Sequence, residues 1–293
     1  MSIAIFTDTS SNLSKKYADE NKVGMIPFTY HFEGGEEESC LDIENFDGKK
    51  YYRRIGNGEL VQTSQITPQT YLDAFRKRLE AGEDVLFVSM SGAISGSYNS
   101  SVIAVNELRE EFPDRKIETL DTKGAALGEG MIVMEAVKCR DAGMTIDQMM
   151  PILEDRIECL YQIFTVDSLK HLRRTGRLTG AAALVGSLLN IKPLLKGNEK
   201  GQIVSVDKAR GNKKAIQAMA QRYDSFAVNG EAQTVCIVDS DNDEDVAYLI
   251  ELLKRNHPPK EIIRLCYEPV TGSHVGPGAV ALFFYGEKGV RAK

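Results

Sequence analysis

The sequence predicts an α/β fold whose first part is a doubly wound, mostly parallel sheet. Short apolar runs rich in β-branched residues alternate with amphipathic helical stretches, the rhythm of a parallel sheet covered by helices. These runs are residues 3–6, 23–28, 85–88 and 116–120. The length of 293 residues is about twice the commonest domain size, which favours two packed domains.

Two helices of the first part carry explicit start signals. Thr67 is a capping residue followed by Pro68 at the first helical position, and we expect this helix to end near Gly82. Thr145 and Gln148 have the spacing of a capping box, which predicts a second helix start. Gly124, Gly128 and Gly130 lack the spacing of a nucleotide-binding loop, so we interpret them as helix-packing positions.

The pattern changes after Cys159, where a smaller α+β domain is predicted to begin. Strands are expected at residues 160–166, 203–206, 235–238, 262–266 and 279–284, and helices at 213–226 and 244–254. The predicted domains are therefore residues 1–158 and 159–293. The cleft between two tightly packed domains is the natural ligand site.

Composition excludes several classes of function. The formal charge of -6 and the absence of a Lys/Arg block argue against nucleic-acid binding. Five widely spaced cysteines and four scattered histidines form no metal-ligand pattern, and no nucleotide fingerprint is present. We expect no metal and no cofactor. Residues 2–9 lack the build of a signal peptide and no apolar run approaches ~20 residues, so a cytoplasmic location is expected.

Small hydroxyl and glycine clusters stand where predicted strands end, the edge that faces the ligand crevice in open α/β sheets. They include Thr63-Ser64-Gln65 and Ser95-Gly96-Ser97. The second cluster opens a predicted helix, where free N–H groups favour an anion, although a plain helix cap is the simpler interpretation. Thr63 could equally be a turn residue. A Ser95 nucleophile in a hydrolase or phosphotransferase acting on a small anionic substrate is an alternative, but the sequence places no base beside it.

One histidine and two basic clusters remain as candidates. His274 stands in the Gly/Pro-rich stretch 272–278, predicted to be a loop that lets a ligand approach closely, with a structural role as the alternative. Arg173, Arg174 and Arg177 lie on a short basic segment, and Arg210 on a second one. Each segment could be a solvated face or could dock an acidic partner.

An ordered set of short motifs covers essentially the whole chain. The set comprises Thr7-Asp8-Thr9-Ser10-Ser11, Thr63-Ser64-Gln65, Ser95-Gly96-Ser97-Tyr98, Leu169-Lys170-His171-Leu172-Arg173-Arg174-Thr175-Gly176-Arg177, Asn190-Ile191-Lys192-Pro193, Lys208-Ala209-Arg210-Gly211 and Gly276-Pro277-Gly278. In order and spacing it resembles the DegV family. Ile66, Ser97 and Thr175 depart from the residues common in the family, and none of these departures removes a proposed carboxylate ligand.

The resemblance implies a carrier rather than an enzyme. Family members hold a long-chain fatty acid, here expected at C14 to C18, between the two domains. In bacteria they present its carboxylate to a separate fatty acid kinase, which resembles dihydroxyacetone kinases and makes the acyl phosphate used in phospholipid synthesis. Transient contact with a membrane is compatible with that role.

The resemblance also implies residue roles. Thr63 and Ser95 would hydrogen-bond the carboxylate and His274 would complete the network, supported by Ser64, Gly96 and Ser97. Arg210 matches the surface where kinase contact is expected, and Arg173, Arg174 and Arg177 are weaker candidates for it.

We expect neutral donors, without a permanently charged side chain, to satisfy the buried carboxylate. The tail needs an apolar tunnel, and core packing is the simpler role for most of the residues that could line it. These candidates are Leu184, Val185, Leu188, Leu189, Ile191, Leu194 and Leu195.

Overall fold

The computed structural model describes residues 2–179 and 190–293. Its strands are β1 (Ile3–Asp8), β2 (Val23–Ile26), β3 (Thr29–Phe32), β4 (Glu38–Ser39), β5 (Val61–Ser64), β6 (Asp84–Ser89), β7 (Ile117–Asp121), β8 (Leu160–Thr165), β9 (Ile191–Gly197), β10 (Ile203–Arg210), β11 (Thr234–Asp239), β12 (Glu261–Cys266) and β13 (Val280–Tyr285). Within these ranges the strands form three sheets.

The α-helices are α1 (Lys15–Glu20), α2 (Gly48–Gly56), α3 (Pro68–Glu80), α4 (Ser97–Glu111), α5 (Leu127–Asp141), α6 (Ile146–Cys159), α7 (Lys170–Arg174), α8 (Asn212–Phe226), α9 (Asp243–Asn256) and α10 (Pro269–Val275). The two helix-start signals are confirmed. At the start of α3, the Thr67 hydroxyl accepts a hydrogen bond from the Thr70 N–H, and Pro68 is the first helical residue. At the start of α6, Thr145 and Gln148 form the reciprocal capping box.

The predicted fold class is confirmed by the sheets. The first sheet has the order β2-β1-β6-β7 with every pair parallel, the arrangement of a doubly wound unit. The second has the order β10-β9-β8-β13-β11-β12 and is mixed, because only β11 and β12 run parallel. All six residues of β1 are buried, as befits a strand covered on both faces.

Three strands that the sequence pattern does not reveal form a small antiparallel sheet, β4-β3-β5. It includes Thr63, which therefore lies in a strand opposite Tyr30 rather than in a turn. Strand β9 is also absent from the sequence prediction, because Pro193 argues against a strand. The proline is tolerated because β8 pairs only with residues 194–196, so β9 has one neighbour, β10, at position 193.

Helix α5 lies between the two large sheets and contacts strands of both. Its glycines permit this close approach: a Cβ at Gly130 would lie 2.6 Å from the carbonyl oxygen of Ser11, and one at Gly128 would lie 2.9 Å from the Phe283 ring. The helix-packing interpretation of these glycines matches this geometry. One hydrophobic core consequently runs through both halves, and a second core lies under α8 and α9 on the far face of the mixed sheet.

A pair of buried carboxyl groups, Asp8 and Glu129, lies at the carboxyl end of β1. The Ser10 hydroxyl is within hydrogen-bond distance of both, at 2.7 Å from Glu129 Oε2, and the Thr7 hydroxyl donates to Glu129 Oε1 at 2.9 Å. One serine hydrogen cannot serve two carboxylates, so at least one carboxyl group carries a proton. Burial raises the pKa of both groups, and repulsion from Asp8 raises that of Glu129 further.

We predict that Glu129→Gln becomes more stable relative to the wild type as the pH rises. When the pKa of a carboxyl group is raised in the folded state, the free energy of unfolding falls as the pH rises above the pKa of the unfolded chain, about 4.3 for Glu. The glutamine amide can donate to Ser10 and accept from Thr7 without that loss. Urea unfolding at pH 5 and pH 8 should show the difference shifting in the variant's favour by on the order of 1–3 kcal/mol.

Glu129→Ala is the control, because it removes both hydrogen bonds and leaves a cavity, which destabilises the protein at either pH. A stability difference between Glu129→Gln and the wild type that stays constant from pH 5 to pH 8 would contradict a shared buried proton.

Candidate functional site

A cavity of about 350 Å³ lies between the two halves of the chain, within the ~300–1,000 Å³ range of small-molecule pockets. Most of its wall is apolar, including Phe28, Met90, Phe164, Leu172, Val275 and Phe283. Polar side chains also line the wall, and the part of it around Thr63 and His274 is called the polar end below. The other polar or charged lining residues include Ser95, Gln65, Lys123, Gln162 and Arg177. The cavity therefore suits a ligand with one polar end and an apolar body.

Thr63 and His274 come from different halves of the chain and meet at this polar end. Thr63 Oγ1 lies 3.3 Å from His274 Nε2, a hydrogen bond across 211 residues of sequence. The other ring nitrogen, Nδ1, is buried and has no hydrogen-bond partner within residues 2–179 and 190–293. His274 lies in the last turn of α10, so the expectation that it stands in a loop is wrong; the loop begins at Gly276.

The imidazole of His274 is neutral at physiological pH. Burial, together with the positive charges of Arg177 and Arg174, lowers the pKa of His274 to about 4. A neutral imidazole has one N–H donor and one acceptor nitrogen, so it can bridge the Thr63 hydroxyl and a ligand oxygen.

The Ser95-Gly96-Ser97 cluster forms the adjoining wall at the start of α4. Ser95 and Gly96 line the cavity, and the Ser95 hydroxyl accepts from the Ser97 N–H at 3.2 Å. Ser97 is fully buried, and its hydroxyl accepts from the Ile66 N–H at 3.1 Å. That bond ties α4 to the segment following β5, which positions Thr63 relative to Ser95. Ser64 also lines the cavity.

Helix α10 is capped by a buried carboxylate. Glu268 precedes the helix and accepts from the backbone N–H of Val270 at 2.7 Å and from that of Thr271. Burial raises the pKa of Glu268 to about 7. A seven-residue helix needs such support, since isolated helices of this length are unstable in water.

Side chains of the first half fix α10 in place. Asn12 donates to the Cys266 carbonyl at 2.7 Å and accepts from the Glu268 N–H at 2.9 Å. The hydroxyl of Tyr51 donates to the Pro269 carbonyl at 2.7 Å, and that of Tyr52 to the Tyr267 carbonyl at 2.8 Å. The position of His274 therefore depends on residues about 220 to 260 positions earlier in the chain.

The four candidate arginines divide into two groups. Arg173, Arg174 and Arg210 are exposed. Arg177 is half-buried in the cavity wall and donates to the Ile94 carbonyl at 3.3 Å. A permanently charged side chain thus lies near the polar end, contrary to the expectation of neutral donors alone, and its charge contributes to the low pKa of His274.

Of the candidate tunnel residues that the structure describes, Leu194 and Leu195 are fully buried core residues, which is the alternative role given for them above. Neither they nor Ile191 are among the described residues that line the cavity. Leu184, Val185, Leu188 and Leu189 lie outside the described residues. Gln65, a member of the Thr63-Ser64-Gln65 cluster, lines the wall, and so do Gln162 and Thr271, which the sequence did not indicate. No motif marks Gln162 or Thr271, because Gln162 stands in a strand and Thr271 in a helix whose sequences carry no functional signal.

Other kinds of site find no support in the described part of the chain. No group of three or more His, Cys, Asp or Glu side chains there is arranged to hold a metal ion. None of the helices there is long and apolar enough to span a bilayer. The chemistry that this arrangement offers is hydrogen bonding to an anionic or polar group inside a mostly apolar cavity.

Two solved structures have closely similar folds. A DegV family protein from Thermus thermophilus, described as binding fatty acid, superimposes with a TM-score of 0.87 at 29% identity and covers 98% of this chain and 100% of its own. DegV from Bacillus subtilis, described as a fatty acid binding protein, has a TM-score of 0.82 at 27% identity, with 97% of this chain and 99% of its own covered.

Sequence comparison agrees along nearly the whole length. A DegV domain-containing protein of Clostridium perfringens is 36% identical over 283 residues, with 97% of each chain covered. One from Lactococcus lactis is 34% identical, with 98% of this chain and 99% of its own covered. The model of the DegV family, described as uncharacterised proteins, matches residues 2–287. The chain therefore belongs to the DegV family.

Proposed function

We propose that this protein binds a long-chain fatty acid in the cavity between its halves and presents the carboxylate to a separate fatty acid kinase. The observation that carries the proposal is the Thr63–His274 hydrogen bond in a cavity whose wall is mostly apolar. The fatty acid binding described for the relatives from Thermus thermophilus and Bacillus subtilis supports it.

Burial of the fatty acid tail in the apolar part of the cavity provides a large favourable free energy. Burial of a methylene group is worth about 0.8 kcal/mol, so roughly fourteen methylenes of a palmitoyl-length tail provide on the order of 11 kcal/mol before ordering costs. The tail then provides most of the affinity. The hydroxyls of Thr63 and Ser95 and the imidazole of His274 orient the head group, because a buried carboxylate is costly unless several donors satisfy it.

The carrier interpretation is favoured over a serine hydrolase or phosphotransferase. Among the described residues, no histidine or carboxylate forms a hydrogen bond with the Ser95 hydroxyl, which accepts from the Ser97 N–H. His274 bonds Thr63 instead. A serine nucleophile without an adjacent base is not activated. We also propose that the two domains are residues 1–158 and 159–293. The proposed ligand has a C14 to C18 chain, and the proposal includes a cytoplasmic location with transient membrane contact.

Replacing both Thr63 and Ser95 by Ala should weaken fatty acid binding at least ten-fold, because hydrogen bonds to a charged group contribute about 1.5–3 kcal/mol each. Delipidated protein titrated with palmitate in a calorimeter gives the affinity, and circular dichroism checks the fold. The matched control is Ser2→Ala with Thr234→Ala, since each of those hydroxyls bonds a surface glutamate far from the cavity. Unchanged palmitate affinity in the Thr63/Ser95 variant would refute the head-group assignment.

Fatty acid binding should raise the pKa of His274. In the ligand-free protein the ring should stay neutral from pH 5.5 to 8, because its pKa is lowered to about 4. A bound carboxylate stabilises the protonated ring and shifts the titration upward. Nitrogen NMR of labelled histidine follows this titration with and without palmitate. A ring that titrates near 6.5 in both states contradicts the proposed site.

Arg210→Ala should leave palmitate affinity unchanged but reduce the rate at which a fatty acid kinase phosphorylates the bound acid. Loss of an exposed charge from an interface mainly slows association. The readout is acyl phosphate formation with kinase and ATP, and Arg255→Ala is the control, an exposed arginine on α9 paired with Glu251. Equal rates of acyl phosphate formation for both variants and the wild type would contradict a contact between Arg210 and the kinase.

A further inference from the structure

The wall of the cavity contains a buried glutamine, Gln162, whose neighbours on the same face of its strand are apolar. Leu160, Gln162 and Phe164 alternate on the face of β8 that is turned toward the first half of the chain. Leu160 and Phe164 belong to the shared hydrophobic core, and Phe283 stands opposite Gln162 on β13. Gln162 is only 7% exposed and lines the cavity.

The strand register places Gln162 inward from the carboxyl end of β8. Strand β8 ends at Thr165, and Asp167 just beyond it packs against Gly278, four residues after His274. Gln162 lies three residues back along the strand, roughly 10 Å from its end at about 3.3 Å per residue. A chain whose carboxylate is held by Thr63 and His274 and whose tail runs inward along β8 reaches Gln162 farther along its length.

The amide of Gln162 has unused hydrogen-bonding capacity. Its Oε1 accepts from the Ala125 N–H at 3.3 Å, whereas Nε2 has no partner in the described part of the chain. An unsatisfied buried donor is unfavourable, and native structures contain few of them. The described protein atoms therefore leave the N–H group of the Gln162 amide without an acceptor.

A second unsatisfied donor lies close by. Arg291 is 2% exposed and its terminal nitrogens donate to backbone carbonyls, yet its Nε has no partner among the described residues. Gly197, which lines the cavity, separates the two groups. A Cβ at Gly197 would lie 3.3 Å from Arg291 Nη2 and 3.6 Å from Gln162 Nε2. The two side chains with unsatisfied donors thus pack against the same glycine of the cavity lining.

We infer that the cavity prefers a fatty acid that carries a hydroxyl group in the distal half of its chain, with the hydroxyl oxygen accepting from the Gln162 amide. The inference rests on the proposed function and specifies its ligand. A saturated tail leaves the amide unsatisfied, whereas a hydroxyl provides both an acceptor and a donor. Gln162 is thus a specificity-determining residue.

The test measures binding of delipidated protein to stearic acid and to stearic acids hydroxylated at carbon 2, 10 or 12. Wild-type protein should bind the 10- or 12-hydroxy acid several-fold more tightly than stearic acid, and the 2-hydroxy acid should show no such gain. Gln162→Met has a similar volume without the donor, so it should abolish the preference and bind stearic acid at least as well as the wild type does. Gln217→Met, a substitution on α8 where the amide bonds Tyr248, should keep the preference.

The outcomes separate the two proposals. Equal affinity of wild-type protein for all four acids overturns the inference and means that a buried water satisfies the amide, while the proposed function stands. A preference that survives Gln162→Met also overturns it. Failure to bind any of the acids overturns the proposed function itself. The ligand comparison uses wild-type protein alone, so it tests the preference even if Gln162→Met fails to fold.

Discussion

The site depends on the seating of α10 against the first half of the chain. This helix has seven residues and cannot sustain itself, so its position comes from the Glu268 cap and from hydrogen bonds to Asn12, Tyr51 and Tyr52. Asn12 acts at two points, as donor to one backbone carbonyl and as acceptor from one N–H. If these contacts loosened, His274 would leave Thr63 and the cavity would lose part of its wall.

The polar end of the cavity has a neutral imidazole, His274, and a permanently charged guanidinium, Arg177, nearby. His274 is neutral because it is buried and near arginine charges, so it contributes a dipole rather than a charge. Arg177 adds a fixed positive charge in the wall, although its guanidinium already bonds backbone carbonyls. Burial raises the pKa of Glu268, which caps the helix that carries His274, to about 7, so this carboxyl group is only partly ionised near neutral pH. The group nearest Thr63 is thus a neutral imidazole, with the positive charge of Arg177 close by.

Sequence patterns locate the parts of the fold that depend on local signals. The buried strands of the parallel sheet and the caps at Thr67 and Thr145 follow from β-branched runs and capping residues. The small sheet containing Thr63 escapes prediction because two of its strands have four residues and the third has two, too short for periodicity to register. Gly272 and Gly276 suggest a loop around His274, whereas the Glu268 cap and Pro269 start a helix there. Strand β9 is not predicted because it contains Pro193, which has no N–H group to donate to a neighbouring strand. At that position β9 pairs only with β10, so no hydrogen bond to β8 is lost.

The sequence alone determined the α/β class, the family resemblance and the residues Thr63, Ser95 and His274 as candidates, because capping residues, β-branched runs and ordered motifs are local properties. Only the tertiary structure decided that Thr63 and His274 share a hydrogen bond and that Arg177 and Gln162 line the same cavity. Those relations join elements up to 211 residues apart and arise from sheet register and from the packing of α5 between two sheets. No local pattern encodes such relations, since each depends on side chains of several elements being buried together.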